Sequence, residues 1–244
     1  MLAGSGAPRW IKAEPLGIHL PTADWWIDPS IPVSKALVTH GHADHARGGH
    51  SEVWATAATR DIVALRYGAP PGGGSADYNL PIEIGDSITA TLMPAGHVLG
   101  SAQILLERKG ERIVVTGDYK RRPDPTCLPF QPAACDILIT EATFALPIFT
   151  HPPIEREIAR LLGARDANSE RCVLVGAYAL GKAQRVIAEL RRAGYVETIW
   201  LHGAMMAMCE LYARHGVDLG KLALVADAPR EALRARLSSA RLQH

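Results

Sequence analysis

Thr39-His40-Gly41-His42-Ala43-Asp44-His45 places three imidazoles and a carboxylate within six residues, directly behind the apolar run Ala36-Leu37-Val38. That run has the length and β-branching of a buried strand, and the polar cluster leaves its carboxyl end, where open α/β sheets generally place their sites. Zinc takes imidazole nitrogen and carboxylate oxygen, and hydrolytic sites keep one position open for water. Two residues apart on an extended loop, His40 and His42 can point at one ion, while Asp44 and His45 can turn toward a second. A pair of ions about 3.5–4 Å apart usually needs a bridging carboxylate, so a later Asp is expected. The competing reading is a solvated, His-rich turn; crowded polar groups behind a buried strand argue against it, because they are costly unless partnered.

Working outward, polar residues recur at strand ends. Asp28 ends the stretch Trp25-Trp26-Ile27 and precedes Pro29; it reads either as a turn starter or as a residue supporting a metal ligand from behind. Ser87 to Met93 reads as a strand followed by Pro94-Ala95-Gly96-His97. Ala102 to Glu107 and Arg112 to Thr116 read as a hairpin turned at Lys109-Gly110, running into Gly117-Asp118. Asp136 to Thr140 reads as a strand that delivers Glu141. Taken singly, His97 is an ordinary loop histidine and Asp118 a plain turn residue. Their shared placement with the histidine loop is what makes them ligand candidates. Val53 to Thr56 reads as a further strand, Ala57 to Tyr67 as a helix, and Pro70 to Ser75 as an exposed Gly/Pro loop.

After Pro147 the pattern changes. Helices are expected over Ile154–Leu162, Lys182–Ala193, Met205–Arg214 and Pro229–Leu237, with strands over Cys172–Val175, Thr198–Leu201 and Leu222–Val225. This alternation predicts a parallel α/β unit, and a boundary is placed near residue 150, giving units 1–150 and 151–244. Gly181-Lys182 opens a helix after an expected strand, which reads either as a phosphate-holding helix start or as a simple turn. Lys120-Arg121-Arg122 is either a guide for a nucleic-acid backbone or a solvated charge run. His202 is assigned to packing within the second unit.

The composition suits a chain with a sizeable core: 244 residues, 48% hydrophobic and 21% charged. A formal net charge of +1 leaves no global basic footprint. Cys127, Cys135, Cys172 and Cys209 form no CxxC pair, so reduced thiols in a cytoplasmic protein are expected. No signal segment is read in Met1 to Trp10, and no apolar stretch reaches membrane-spanning length.

His40-x-His42-x-Asp44-His45, with His97 and Asp118, resembles the metallo-β-lactamase superfamily. Thr140-Glu141-Ala142-Thr143-Phe144 is similar to the acidic motif opening its β-CASP nuclease branch, and Tyr178 to Arg185 is similar to a helix start in that branch's inserted domain. Pro94 to Gln103, Gly117 to Arg121 and Asp124 to Cys127 resemble the bacterial ligase-associated DNA exonucleases. The resemblance implies an α/β fold: a metallo-β-lactamase-like αβ/βα sandwich, here incomplete, with an inserted parallel α/β segment. It implies that His40, His42 and His97 hold one zinc, that Asp44 and His45 hold another, and that Asp118 bridges them. Asp44, Asp118 and Glu141 are then the catalytic carboxylates of a phosphodiesterase, Asp28 supports the ligands, and Lys120, Arg121, Gly181 and Lys182 touch nucleic acid. Manganese is an alternative metal.

DNA is the implied substrate, with a ligase or helicase as partner. RNA processing by the same branch is the nearest alternative, followed by a thioester hydrolase or a non-catalytic nucleic-acid-binding remnant. The branch's two downstream histidine motifs are not found in the sequence, so the second zinc site is expected to lack a ligand and to fill weakly, and a sheet edge is expected to be exposed.

Overall fold

The alternation in Ala102–Arg108 shows how the first unit is built. Ile104 and Leu106 face one way and Leu105 the other, and all three are buried, so this strand has cores on both sides. The computed structural model describes residues 8–167 and 172–229. They fall in two compact units bounded Met1–Thr143 and Phe144–His244. The helix expected from Pro229 lies outside the described residues beyond Pro229 itself.

In the first unit, β1 (Lys12–Glu14), β2 (Gly17–Leu20), β3 (Trp25–Ile27), β4 (Lys35–Leu37), β5 (Glu52–Ala55) and β6 (Gly72–Ser75) form one six-stranded sheet in sequence order. Helix α1 (Ala57–Tyr67) follows β5. A second sheet has the order β11-β10-β9-β8-β7, from β7 (Pro81–Gly85), β8 (Ile88–Pro94), β9 (Ala102–Arg108), β10 (Glu111–Val115) and β11 (Ile137–Ile139). Leu20, Trp25, Ile27 and Leu37 of the first sheet share one buried core with Ile88, Ile104, Leu106, Ile113 and Val115 of the second, so the sheets pack face to face. On the first sheet's outer face, Ala36, Val53 and Ala55 pack against Val63 of α1 and Ala46 of the histidine loop. On the second sheet's outer face, Met93, Leu105 and Val114 are covered by Ala133 and Cys135. The result is a mixed α/β sandwich.

The exposed loop expected at Pro70–Ser75 is corrected: Gly72 to Ser75 is strand β6, parallel to β5. Glycine has poor strand propensity, but here it permits an approach no other residue allows. A Cβ on Gly73 (φ +87°) would stand 2.1 Å from the Val53 carbonyl oxygen. Strand β7, Pro81–Gly85, is not among the strands the sequence pattern predicts. Its Pro81 starts an edge strand, where a missing N–H is tolerated.

The second unit contains α2 (Ile154–Asp166), α3 (Lys182–Arg192), β12 (Ile199–Leu201), α4 (Gly203–Arg214) and β13 (Leu222–Leu224), with β12 and β13 parallel. One face of α3 buries Ala183, Ile187, Ala188 and Leu190. Arg191 donates to the carbonyls of Leu219, Tyr195, Glu197 and Lys221 at 2.7–3.0 Å, tying α3 to the chain before β12 and β13. The strand expected at Cys172–Val175 is corrected. This stretch has no regular structure and Leu174 is 81% exposed, because β-favouring side chains form a strand only where a neighbour pairs with them. Among the described residues no helix is long and apolar enough to cross a membrane.

Candidate metal centre

The strand directions bring the polar loops together. Strands β3 and β4 are parallel, so Asp28 and the Thr39–His45 loop leave at the same edge. In the other sheet β8 and β10 each run antiparallel to β9, and β11 runs parallel to β10, so His97, Asp118 and Glu141 also leave at one edge. The two edges are joined where Ala102 N–H donates to the Thr39 carbonyl at 2.8 Å. Two glycines permit the crowding. A Cβ on Gly41 would meet Ile62 of α1 at 2.5 Å, and one on Gly117 (φ +52°) would meet the Thr39 hydroxyl at 2.6 Å.

Three imidazole nitrogens converge there. His40 Nε2 and His97 Nε2 lie 3.0 and 3.1 Å from His42 Nδ1. Asp118 Oδ2 stands 3.5 Å from His97 Nε2 and 3.8 Å from His40 Nε2, while Oδ1 stands 3.4 Å from His45 Nε2. One potential ligand atom from each of His40, His42, His97 and Asp118 thus lies within 4.8 Å of the others. Donors about 2.0–2.1 Å from a tetrahedral zinc stand about 3.3 Å apart, so these four residues fit a metal ion. The two Asp118 oxygens face different histidines, which is the arrangement a bridging carboxylate requires. Asp44 lies beside His45, 3.8 Å from its Nε2, with its side chain 78% exposed.

The candidate donors are oriented from behind. Asp28, with φ +46°, accepts from Thr39 N–H at 2.8 Å, from the Thr39 hydroxyl at 2.6 Å and from His45 Nδ1–H at 2.8 Å. The Thr39 hydroxyl proton is therefore spent, and its oxygen is left to accept from His40 Nδ1–H at 3.1 Å. This chain of donors turns Nε2 of both histidines inward. The His97 loop is held by Ser101, whose hydroxyl accepts from His97 and Val98 N–H at 3.1 and 3.2 Å. Arg66 of α1 donates to the Gly41 carbonyl at 2.6 Å. Residue type and spacing alone assign no supporting role to Thr39, Ser101 or Arg66; the closeness of Thr39 to His40 and of Ser101 to His97 in the chain is the local signal for two of them.

Burial holds His40 well below its ordinary range, and the neighbouring histidines add to the effect. Burial and His42 bring His97 down to about 4. At His45 burial also pulls downward, but hydrogen bonds and charge from Asp118 and Asp28 outweigh it and raise the group to about 10. The His45 hydrogen bond is the main cause holding Asp118 below the carboxylate range. At neutral pH His40 and His97 are neutral and Asp118 is ionised, the forms in which each binds a cation.

Other expected residues fare differently. Glu141 accepts from Tyr119 N–H at 3.4 Å and Thr143 N–H at 3.3 Å. Lys120 is ion-paired with buried Asp124, which also accepts from Thr126. Arg121 is exposed. In the second unit, the Gly181 N–H is taken by Gln184 Oε1, and those of Lys182 and Ala183 by the Leu180 and Tyr178 carbonyls. The Lys182 ammonium lies over the Tyr178 ring. His202 is exposed and caps α4, accepting from Ala204 N–H at 3.2 Å; it is not packed in a core.

The Asp28→Asn protein should keep its fold but bind metal about 10–100-fold more weakly, because an amide cannot accept from both Thr39 and His45 as a carboxylate does. Metal titration compared with thermal unfolding checks this. Unchanged affinity would remove Asp28 from the centre.

No protein-family model matches the chain. It is 31% identical over 210 residues to a probable DNA ligase from Opitutus terrae, covering 82% of this chain and 20% of that protein. It is 41% identical over 116 residues to the endoribonuclease ysh1 of Aspergillus fumigatus, covering 46% of this chain and 13% of that protein. The chain therefore spans a fifth or less of the length of these two relatives. Both similarities support the superfamily resemblance carried by the histidine loop. A solved structure of a protein of unknown function from Enterococcus faecalis V583 superposes with a TM-score of 0.53 at 14% identity, over 80% of this chain and 52% of that one. That likeness concerns the fold alone.

Proposed function

We propose that this chain carries the metal centre of a zinc-dependent phosphodiesterase acting on nucleic acid, most closely a DNA exonuclease of the ligase-associated type. The observation that carries the reading is the convergence of His40, His42 and His97 on one point faced by Asp118. His40, His42 and His97 would hold one ion, Asp44 and His45 a second, and Asp118 would stand between them. When bound, zinc supplies a water acidified to near neutrality and positive charge for the phosphoryl oxygens. Asp28 and Thr39 keep the ring nitrogens aimed inward, so no reorganisation is needed as charge develops. Glu141, which follows the strand paired with the one that delivers Asp118, would take up or return a proton. Manganese is the alternative metal, cytoplasm the expected compartment, and a ligase or helicase the expected partner.

A second ion would be held more weakly, because among the described residues its donors would be His45, Asp118 and an Asp44 whose side chain is 78% exposed. Dialysed protein should retain one ion per chain and lose the other; two tightly held ions would overturn that. RNA cleavage is the second reading, favoured by the similarity to the endoribonuclease. End-labelled DNA and RNA strands incubated with zinc or manganese test both. Shortening of DNA from an end, abolished by a chelator, is expected. Internal cuts confined to RNA would favour the second reading, and turnover of neither would overturn both.

A further inference from the structure

The outer face of the β8–β11 sheet carries a cleft of about 500 Å³ whose lining, Arg121 apart, has no role in the reading above. Its floor is Val114 and Leu138 with Thr116 and Thr140, and its far wall is Pro132, Ala133 and Cys135. Its near wall is aromatic: the Tyr119 and Phe130 rings lie 5.2 Å apart at 38°. Arg121 lines it from an exposed position. Three chain links tie it to the metal centre. Tyr119 follows Asp118 and Thr140 precedes Glu141; Phe130 lies against Gly96, where a Cβ would meet its backbone nitrogen at 2.8 Å, one residue before His97. The wall is also preformed. Gln131 N–H donates to the Pro94 carbonyl at 3.0 Å, and Gln103 Nε2 donates to the carbonyls of Pro94 and Gln131 at 3.1 and 2.7 Å.

We propose that this cleft binds one unstacked nucleotide of a single strand, its base against Tyr119 and Phe130 and its phosphate at Arg121, beside the scissile position. The proposal rests on the phosphodiesterase reading above. The cleft matches that ligand in three respects. Its volume lies in the range of small-molecule sites. An aromatic face accepts any base by stacking. A guanidinium at the rim pairs with a phosphate while staying hydrated. The Thr116 and Thr140 hydroxyls donate to the Gly117 and Glu141 carbonyls at 2.8 and 3.2 Å, so toward the cleft they offer acceptor oxygens, which do not specify one base.

The test uses the full chain in chelator, so that nothing is cut, with a short single strand carrying 2-aminopurine at its terminal base, made once as DNA and once as RNA. Binding should quench the 2-aminopurine fluorescence. Phe130→Ala should weaken binding about tenfold and relieve the quenching, while Phe130→Tyr restores both. Arg121→Ala should lower the salt slope of binding by about 0.7. Quenching with DNA, RNA or both identifies which strand enters. Wild-type binding without quenching, or Phe130→Ala binding within twofold of wild type, would overturn the proposal; because the first readout uses unmodified protein, a Phe130 variant that fails to fold leaves it decisive. Metal-dependent cleavage of the same strands separates the two readings. Quenching without cleavage retires the phosphodiesterase and keeps the cleft, whereas cleavage without quenching does the reverse.

Discussion

The His42→Ala protein should fold and lose its metal. His42 Nδ1 is the atom approached by both His40 and His97, at 3.0 and 3.1 Å, so its removal takes away the middle donor of the first site. Partners outside the ligand set are typically worth 10–100-fold in metal affinity, and a direct ligand is worth more, so a loss above about 100-fold is expected. Phosphodiester cleavage should fall in parallel at fixed metal. The fold should be nearly indifferent, with a change below about 1 kcal/mol in metal-free protein, because the side chain is only half-buried on a loop. Elemental analysis after dialysis, set beside thermal unfolding, measures both. Wild-type metal content in the variant would place the ion elsewhere.

A second large effect is expected from Gly117→Val, through stability as well as chemistry. Gly117 has φ +52°, a conformation that costs a non-glycine residue about 1–2 kcal/mol. Its new Cβ would lie 2.6 Å from the Thr39 hydroxyl and 2.7 Å from the Thr39 Cβ, and such overpacking adds about 1–3 kcal/mol. Together these should lower the melting temperature by roughly 5–15 °C in a domain of this size. Thr39 is also the link between Asp28 and His40, so displacing it should weaken metal binding. Gly110→Ala is the control: φ is +86° but a Cβ there meets nothing within 4 Å, so it bears the backbone cost alone and leaves metal affinity unchanged. Equal effects at the two glycines would show that contact with Thr39 is immaterial.

Much of the first unit was legible locally. Helix α1 spans the residues its periodicity marked, Ala57–Tyr67, and the hairpin at Lys109-Gly110 follows from two positive φ values in adjacent residues. The errors share one cause. Gly72-Gly73-Gly74 looked like a loop because its propensity is poor, yet β5 pairs with it; Cys172–Val175 looked like a strand because its propensity is good, yet no described neighbour pairs with it. Strand formation depends on a partner far away in sequence, which a local pattern does not contain. At Gly181-Lys182, where the sequence leaves a phosphate-holding helix start and a simple turn open, the fold supplies partners within the chain for the N–H groups of Gly181, Lys182 and Ala183.

By itself, the sequence determined the donor set: three imidazoles and a carboxylate behind one strand, and further polar residues behind others. That much is chemistry written in residue type and spacing. Only the tertiary structure decided that His97 and Asp118 reach His40 and His42, because strands from two sheets end at one edge. It alone gave Asp28 its three hydrogen bonds, and it alone set Tyr119 and Phe130 side by side next to that edge. The reason is physical. Ligand identity belongs to single residues, whereas convergence belongs to strand direction and to the glycines that let loops approach.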